Sequence, residues 1–272
     1  MNKNYCPICL SELIITEKKN KIFNTLNYYC SNCDSYHIIE PKELTEYYTH
    51  NYHKEFNFKK ARKFFKFIYH YQNPRAYARK KFLSKNFKNN FLSKYLEIGG
   101  GNSENFIVFN LYNKPKAYII VEPNSTFNLN RSNLKYYNCL FEDVDNSVLK
   151  DVDIVIMFHV LEHIFDLKSF FERIINAGCK FFYFEVPNIH NKKVLEESLL
   201  NHPHYHHFSK KSLEYLFNSL NIKVEKISAI EPITYHPYKK VKFIKRITFK
   251  SLQKNEKESE WGLYLRGIVK LK

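Results

Sequence analysis

Four cysteines near the N-terminus form two C-x-x-C pairs, a spacing that suits metal binding. Cys6 and Cys9 make the first pair, and Cys30 and Cys33 make the second, after twenty intervening residues. Two such pairs supply the four thiolates of a tetrahedral zinc site. Two disulfides are the alternative, but disulfides are rare in a reducing compartment, and a redox C-x-x-C needs no second copy. The spacing predicts a zinc ribbon over residues 1–40, with a structural Zn²⁺ that supplies folding energy.

A glycine-rich turn, E-I-G-G-G, follows an apolar strand-like run at Tyr95–Ile98. Gly99 and Gly101 fit the start of the dinucleotide fingerprint G-x-G-x-x-G, in which backbone approaches a ligand at a helix N-terminus. Glu104 stands where the third glycine would be, and its carboxylate would repel a pyrophosphate. A nucleoside without phosphates is therefore expected. S-adenosylmethionine suits this site because Glu97 offers a carboxylate to its ammonium group; a plain tight turn is the alternative.

A carboxylate placed to hold a ribose comes after the glycine turn. Glu122 lies twenty-one residues beyond Gly101, at the end of an apolar run, where a carboxylate can accept hydrogen bonds from both ribose hydroxyls. Farther on, Glu142 could accept a hydrogen bond from an adenine amino group, with Phe141 against the ring. Adjacent acids in a loop are more often simply solvated, which is the alternative for Glu142.

Strand-like and helix-like segments alternate from residue 95 onward. Apolar residues recur at helical spacing from Leu167, and Ser209 is placed to cap a further helix. This alternation predicts a doubly wound α/β domain with a parallel sheet over residues 95–272. The predicted strands are Tyr95–Ile98, Ala117–Val121, Leu134–Asn138, Val152–Met157, Phe181–Val186, Val224–Ile230 and Leu263–Leu271, with two short ones, Leu13–Ile15 and Lys21–Tyr29, in the ribbon.

Residues 41–94, between the ribbon and the sheet, are rich in aromatic and basic side chains. Helical spacing at Phe64–Tyr69 and again around Tyr77–Phe87 predicts a helical cap. Its tyrosines either close over a cofactor or sugar or pack on the core. Residues 236–260 are strongly basic and are expected to form a loop or a short helical insertion.

Charge and composition restrict the setting of the protein. The 272 residues carry a formal net charge of +16, which suits an anionic partner such as nucleic acid, a membrane surface or a phosphate-bearing substrate. Compositional drift is the alternative, since lysine, asparagine and isoleucine are all abundant. Met1–Leu10 does not resemble a signal peptide, and no apolar run is long enough to span a bilayer. We therefore expect a cytoplasmic protein.

A buried strand at Asp153–Phe158 leads into the motif H-V-L-E-H. With the E-I-G-G-G turn and Glu122, this motif resembles class I S-adenosylmethionine-dependent methyltransferases over roughly residues 90–230. The resemblance implies a Rossmann-like methyltransferase sheet. It also places Phe158 and His159 at the methionine end of the cofactor.

Two further residues of this motif, Glu162 and His163, more often hold the loop in such enzymes. For His163 we expect a bond to a backbone group.

A second resemblance concerns the acceptor. The strand end E-V-P and the segment H-Y-H-H-F-S are similar to those of sugar methyltransferases, including nucleotide-sugar C-methyltransferases, in which a histidine of such a segment is the catalytic base. His204 takes that place, whereas Pro203 replaces the family's glutamate and His207 stands at an aromatic position. The missing glutamate favours O-methylation over C-methylation. Glu185 could orient the base or bind a sugar hydroxyl.

Several histidines lie close together at positions 202–207, and neutral histidine suits proton removal near neutral pH. A second metal site is the alternative for these residues, although their spacing does not fall on one strand face. The expected partner is a phosphate-bearing sugar. An RNA methyltransferase docking through its ribbon, and a non-enzymatic binding module, are the competing hypotheses; the sequence predicts no oligomeric state.

Overall fold

Two β-sheets and the helices around them make up the computed structural model, which describes residues 4–40, 74–87, 92–101, 103–123, 129–231 and 256–271. In chain order the strands are β1 (Ile14–Asn20), β2 (Thr25–Cys30), β3 (Ser35–His37), β4 (Lys94–Ile98), β5 (Ala117–Val121), β6 (Leu134–Tyr137), β7 (Ile154–Phe158), β8 (Phe181–Pro187), β9 (His206–Phe208), β10 (Lys223–Glu231), β11 (Lys257–Glu258) and β12 (Tyr264–Lys270). The helices are α1 (Pro74–Asn86), α2 (Glu104–Tyr112), α3 (Asn146–Leu149), α4 (Leu167–Asn176), α5 (Lys192–Asn201) and α6 (Lys210–Ser219).

The larger sheet has eight strands in the order β11-β10-β12-β8-β7-β4-β5-β6. Strands β6, β5, β4, β7 and β8 are parallel neighbours, so the predicted α/β fold is confirmed. The order reverses beside β4, because the chain proceeds to β5 and β6 on one side and returns to β7 on the other. Open α/β sheets bind ligands at the carboxyl ends of the strands at such a switch point.

The far edge of this sheet corrects the expectation of an all-parallel arrangement. Strand β12 is antiparallel to both β8 and β10, and β11 is antiparallel to β10. The large sheet is therefore mixed, with parallel strands from β6 to β8 and antiparallel strands at the β11 edge.

Side chains of the parallel strands alternate between two apolar cores. On β4, Leu96 and Ile98 pack into one core, whereas Tyr95 packs into the other. Helix α4 contributes Phe171 and Ile174 to the first core. Burial on both faces explains why these strands are nearly continuous apolar runs in the sequence.

The smaller sheet joins the N-terminal ribbon to the rest of the chain. Its order is β1-β2-β3-β9, and β9 pairs antiparallel with β3 through Ser35–Phe208, Tyr36–His207 and His37–His206. Asn20 also donates hydrogen bonds to the carbonyl oxygens of Leu199 and His202. The ribbon therefore shares a sheet with the segment that contains the clustered histidines.

Helix α6 begins with the cap that the sequence predicted. The Ser209 hydroxyl accepts from Ser212 N at 3.1 Å, and the Ser212 hydroxyl accepts from Ser209 N at 3.0 Å. This reciprocal cap satisfies two N-terminal amides. It fixes where β9 ends and α6 begins.

Part of the predicted cap, from residue 41 to residue 73, and most of the basic segment, residues 232–255, lie outside the described residues. Helix α1 confirms the second helical pattern of the cap, around Tyr77–Phe87. Among the described helices, none combines the length and apolar character that crossing a bilayer requires.

A buried cluster of charges connects α1 to the antiparallel edge. Glu185 is fully buried and accepts from Arg79 Nη2 at 2.6 Å, Arg266 Nε at 2.7 Å and Arg75 Nε at 3.1 Å. Glu256 forms a bidentate pair with Arg266 at 2.6 and 2.9 Å. Burial by itself would raise the pKa of Glu185, but the positive charges of Arg79 and Arg266 hold it well below its usual value.

Removing the charge of Glu185 should destabilise the fold strongly. Glu185→Gln leaves buried arginines without their shared carboxylate, and breaking such a buried pair costs about 3–5 kcal/mol. The matched control is Glu258→Gln, because Glu258 is half-exposed and pairs with Lys226 on the surface; its expected cost is below about 1 kcal/mol. Urea unfolding checks both values, and equal costs would contradict the role of Glu185.

Candidate active site

A cavity of about 300 Å³ opens at the switch point of the large sheet. Its wall comes from the segments that follow β4, β5, β6 and β7, together with a tyrosine that precedes β9. The lining residues are Ile98, Gly99, Val121, Glu122, Pro123, Cys139, Leu140, Phe141, Glu142, Val160, His163, Ile164, Phe165 and Tyr205. The structure thus brings together several residues that the sequence singled out.

The glycine turn forms one end of this pocket. Gly99 has a φ of +75°, and a Cβ there would lie 2.3 Å from Val160 Cγ2, so no other residue fits without displacement. Gly101 has a φ of +46° and open space where a Cβ would be. Its amide donates to Glu122 Oε2 at 3.0 Å. The predicted ribose carboxylate and the glycine turn are therefore adjacent at the pocket, which fits an adenosine ligand.

Glu97 lies beneath the glycine turn. It is 1% exposed, and its carboxylate accepts from Asn105 Nδ2 at 2.6 Å and from the Tyr118 hydroxyl at 2.7 Å. Burial raises the pKa of Glu97 to about 7, although the bonds from Tyr118 and Asn105 act in the opposite direction. Both oxygens are engaged inside the protein, and contact of Glu97 with the cofactor's ammonium group stays a prediction.

Phe141 and Glu142, which also line the pocket, have the character predicted for an adenine site. Phe141 is buried, packs edge-on against Phe170, and has the Arg173 guanidinium over its ring. Glu142 is exposed beside it at the pocket wall. An apolar ring and a neighbouring acceptor suit adenine, and these two assignments stay predictions.

The residues predicted for the methionine end are the last residue of β7, Phe158, and the residue after it, His159. His159 has a φ of +58°, a left-handed backbone conformation that costs about 1–3 kcal/mol in a non-glycine residue and is common at functional sites. Its Nε2 lies 3.2 Å from Glu185 Oε1 and also contacts Arg75. Phe158 is buried with the Arg79 guanidinium 4.1 Å from its ring centre. Their contact with a cofactor stays a prediction.

The clustered histidines are buried next to the pocket. Ser198 Oγ lies 2.7 Å from His204 Nδ1 and 2.8 Å from His207 Nδ1, and the rings of His163 and His204 have centres 4.6 Å apart. Burial, followed by the neighbouring histidines, holds the pKa of His204 and His207 well below the usual value. Both residues are therefore neutral at pH 7, the form that can accept a proton or bind a metal.

The predicted bond of His163 to a backbone group is confirmed, because its Nδ1 donates to Pro203 O at 2.9 Å. It also lines the pocket. His163 thus links the pocket wall to the histidine segment. Glu185, by contrast, accepts hydrogen bonds from three arginines. Its predicted role in orienting the base or binding a sugar hydroxyl stays a prediction.

The four N-terminal cysteines have the geometry of a zinc site. Cys6 Sγ lies 3.6 Å from Cys33 Sγ, and Cys9 Sγ lies 3.4 Å from Cys30 Sγ. All four sulfur atoms lie within 4.8 Å of one another. Thiolates around a tetrahedral zinc ion, with bonds of about 2.3 Å, are separated by roughly 3.8 Å. The donor set and its spacing therefore fit Zn²⁺.

Two histidines connect this cysteine cluster to the pocket. Cys6 Sγ lies 3.4 Å from His37 Nε2, and His37 Nδ1 lies 2.9 Å from His206 Nδ1. His206 Nε2 donates to the carbonyl oxygen of Phe165 at 3.0 Å, since a carbonyl can only accept. Phe165 lines the pocket, so the link runs from the cysteine cluster to the pocket wall.

Comparison with known proteins identifies the family. A family described as "Methyltransferase domain" matches residues 53–227 of the chain. The chain belongs to this methyltransferase family. The fold and the pocket agree, so the protein is an S-adenosylmethionine-dependent methyltransferase. Among curated proteins, no sequence matches significantly.

Solved structures show the same fold at low sequence identity. A chain from the complex of the Haloferax volcanii Trm112 methyltransferase activator with a methyltransferase has a TM-score of 0.53 at 12% identity, covering 76% of this chain and 95% of that one. The plantazolicin methyltransferase BpumL in complex with SAH has a TM-score of 0.50 at 14% identity, covering 84% of this chain and 93% of that one. At such identities the likeness concerns the fold alone.

Several residues at this site were not found from the sequence. Arg75, Arg79 and Arg266 are ordinary charged residues in the sequence, and only folding brings them to Glu185. Ser198 lies in α5 without a motif around it. Glu256 falls within the basic segment, and nothing distinguishes it in the sequence from Glu258 and Glu260, which follow it closely.

Loss of the Glu122 carboxylate should weaken cofactor binding. Glu122→Ala is expected to reduce the affinity for S-adenosylhomocysteine by about tenfold or more, since hydrogen bonds to a charged group contribute about 1.5–3 kcal/mol. His204→Ala should change this affinity much less. Calorimetry measures both variants, and wild-type affinity in Glu122→Ala would refute the ribose assignment.

The raised pKa of Glu97 predicts a pH-dependent stability. The folded-state pKa of about 7 exceeds the ordinary 4.5, so the contribution is fully present below pH 4.5 and is lost as the pH rises towards 7. Between pH 5 and pH 8, Glu97→Gln should gain about 2 kcal/mol in unfolding free energy relative to wild type. Glu196→Gln, an exposed control, should show no such change in urea unfolding; a constant difference for Glu97→Gln would contradict the buried proton.

Zinc removal should loosen more than the ribbon. Because β9 pairs with β3, chelation is expected to raise hydrogen exchange by at least tenfold both in residues 5–37 and in residues 204–208, whereas β4 and β5 stay protected. Exchange followed by mass spectrometry checks this. Unchanged protection in the ribbon after chelation would count against a zinc site.

Proposed function

We propose that this methyltransferase acts on a hydroxyl group of a sugar, either nucleotide-linked or part of a surface-polysaccharide precursor, with a histidine as general base. The observation that supports this proposal most directly is the cluster of neutral, buried histidines, in which the ring of His204 packs against that of His163 in the pocket wall. The E-V-P and H-H-F-S segments support a sugar acceptor by resemblance. The absence of the family's glutamate supports O-methylation over C-methylation.

The residues divide the work between the cofactor and the acceptor. S-adenosylmethionine supplies an activated methyl group on a positively charged sulfur. Glu122 and the glycine turn hold the adenosine end, which leaves the edge beside His163 for the acceptor. There the chain must orient the hydroxyl and remove its proton.

Neutral histidine fits that second task. In the transfer, the hydroxyl oxygen forms the new C–O bond, the electron pair of the broken C–S bond stays on sulfur, and the hydroxyl proton passes to a base. His204 and His207 are the candidate bases, because burial keeps both unprotonated near neutral pH. Phosphate on the acceptor would complement the formal net charge of +16.

Incubating the protein and S-adenosylmethionine with a panel of nucleotide sugars tests the proposal. We expect one class of sugar to gain a single CH₂ unit in mass spectrometry, and product NMR then distinguishes a methyl ether from a C-methyl group. His204→Gln should lower kcat by about 10²-fold or more without weakening S-adenosylhomocysteine binding. The matched control is His202→Gln, from the same segment, with activity near that of wild type.

The competing acceptor is RNA, which the positive charge favours. Retention on RNA measured across a salt series decides between the two, because phosphate contacts weaken steeply with salt. Steep salt dependence together with methyl incorporation into RNA, and none into sugars, would overturn the sugar proposal.

A further inference from the structure

A buried carboxylate next to the pocket-lining His163 makes no hydrogen bond within the described part of the chain. Glu162 is 1% exposed, and among the described residues neither of its carboxylate oxygens has a hydrogen-bond partner. The nearest nitrogen across an ion pair, His159 Nδ1, is 3.5 Å away. Burying a carboxylate that makes no hydrogen bond is costly, so the site favours a cation beside Glu162.

Two imidazole nitrogens lie where they could share that cation. A carboxylate oxygen of Glu162 and one ring nitrogen each of His163 and His204 all lie within 4.8 Å of one another. His204 Nε2 is 4.0 Å from Glu162 Oε1. Tetrahedral ligands with bonds of about 2.1 Å to one ion are roughly 3.4 Å apart, so closing the site brings His204 Nε2 and Glu162 Oε1 closer together by about 0.6 Å.

The outer contacts of both histidines suit metal ligands. The Pro203 carbonyl can only accept, so His163 carries its proton on Nδ1 and has its lone pair on Nε2. The Ser198 hydroxyl lies 2.7 Å from His204 Nδ1, and accepting from it would leave the lone pair on His204 Nε2, facing Glu162. Metal-binding histidines usually donate their second N–H in this way, which fixes the tautomer and the ring orientation.

We propose that Glu162, His163 and His204 form a second metal site, which binds a divalent transition-metal ion such as Mn²⁺, Co²⁺ or Zn²⁺. Two imidazoles and one carboxylate suit these ions, whereas Ca²⁺ and Mg²⁺ prefer oxygen ligands. Three protein ligands leave a coordination position open, as in catalytic sites; the four cysteines form a closed structural set.

The position of the site beside the pocket indicates the role of the ion in the reaction. His163 lines the pocket, so the open coordination position can take an oxygen atom of the acceptor. An oxygen bound to a divalent ion loses its proton more readily, and that proton passes to water. This step rests on the proposed function, and in it His204 acts on the acceptor through the ion rather than as the base itself. The metal site does not depend on the identity of the acceptor.

Metal binding by the full chain tests the site without any acceptor. The protein is first loaded with one equivalent of Zn²⁺, which fills the four-cysteine site, and is then titrated with Mn²⁺ while the EPR signal of free Mn²⁺ is recorded. We expect one bound Mn²⁺, and at least tenfold weaker binding in Glu162→Gln and in His204→Gln. His202→Gln is the matched control and should bind as wild type does.

Co²⁺ absorption provides the second probe, because coordination by histidine and carboxylate gives visible bands distinct from those of thiolate. Binding of neither Mn²⁺ nor Co²⁺ beyond the first zinc, or equal binding in the two ligand variants and the wild type, would overturn the site. If Glu162→Gln fails to fold, as judged by circular dichroism, the metal affinities of His204→Gln and Ser198→Ala test the site instead. Ser198→Ala should bind the metal severalfold more weakly, because it removes the hydrogen-bond partner of His204.

The two proposals can fail separately. If a second metal binds but no sugar is methylated, the metal site is supported and the proposal of a sugar acceptor is wrong. If sugar methylation is unaffected by removing the second metal while the first zinc is retained, the ion has no part in the reaction and His204 acts as a direct base.

Discussion

The pairing of β3 with β9 is the interaction on which the active-site end of the molecule depends. It places the ribbon against the histidine segment, and His37, His206 and Phe165 extend the contact from the cysteines to the pocket wall. A segment as short as the ribbon buries little apolar surface of its own, so a metal ion would supply much of its folding free energy. A zinc ion held by the four cysteines would thus stabilise the histidine segment as well as the ribbon.

The buried carboxylates of Glu185, Glu97 and Glu162 differ in the groups that surround them. Glu185 keeps its charge because three arginines surround it. Glu97 is held by two neutral donors, and its pKa rises to about 7. Glu162 has neither arrangement among the described residues. This contrast within one protein is the physical reason for assigning a cation to Glu162 and to neither of the others.

Most of the large sheet could be predicted from the sequence, because strands buried on both faces are continuous apolar runs. The predicted strands agree with β4 to β8, β10 and β12 to within two residues at both ends of each strand. The antiparallel edge and β9 were not predicted. Strand β9 has only three residues, two of them histidines, and these show no strand pattern. Its pairing partner β3 lies about 170 residues earlier in the chain, so the pairing could not be read from the local sequence.

The sequence by itself determined which chemical groups stand at each local motif: four thiols with the spacing of a metal site, a glycine turn, and an acid after the second strand of the parallel sheet. These signals are local because the backbone geometry that they require spans only a few residues. Tertiary structure alone decided which charges meet. Glu162 and His163 lie about 40 residues before His204, and only the docking of the histidine segment between the ribbon and the sheet brings their donor atoms together.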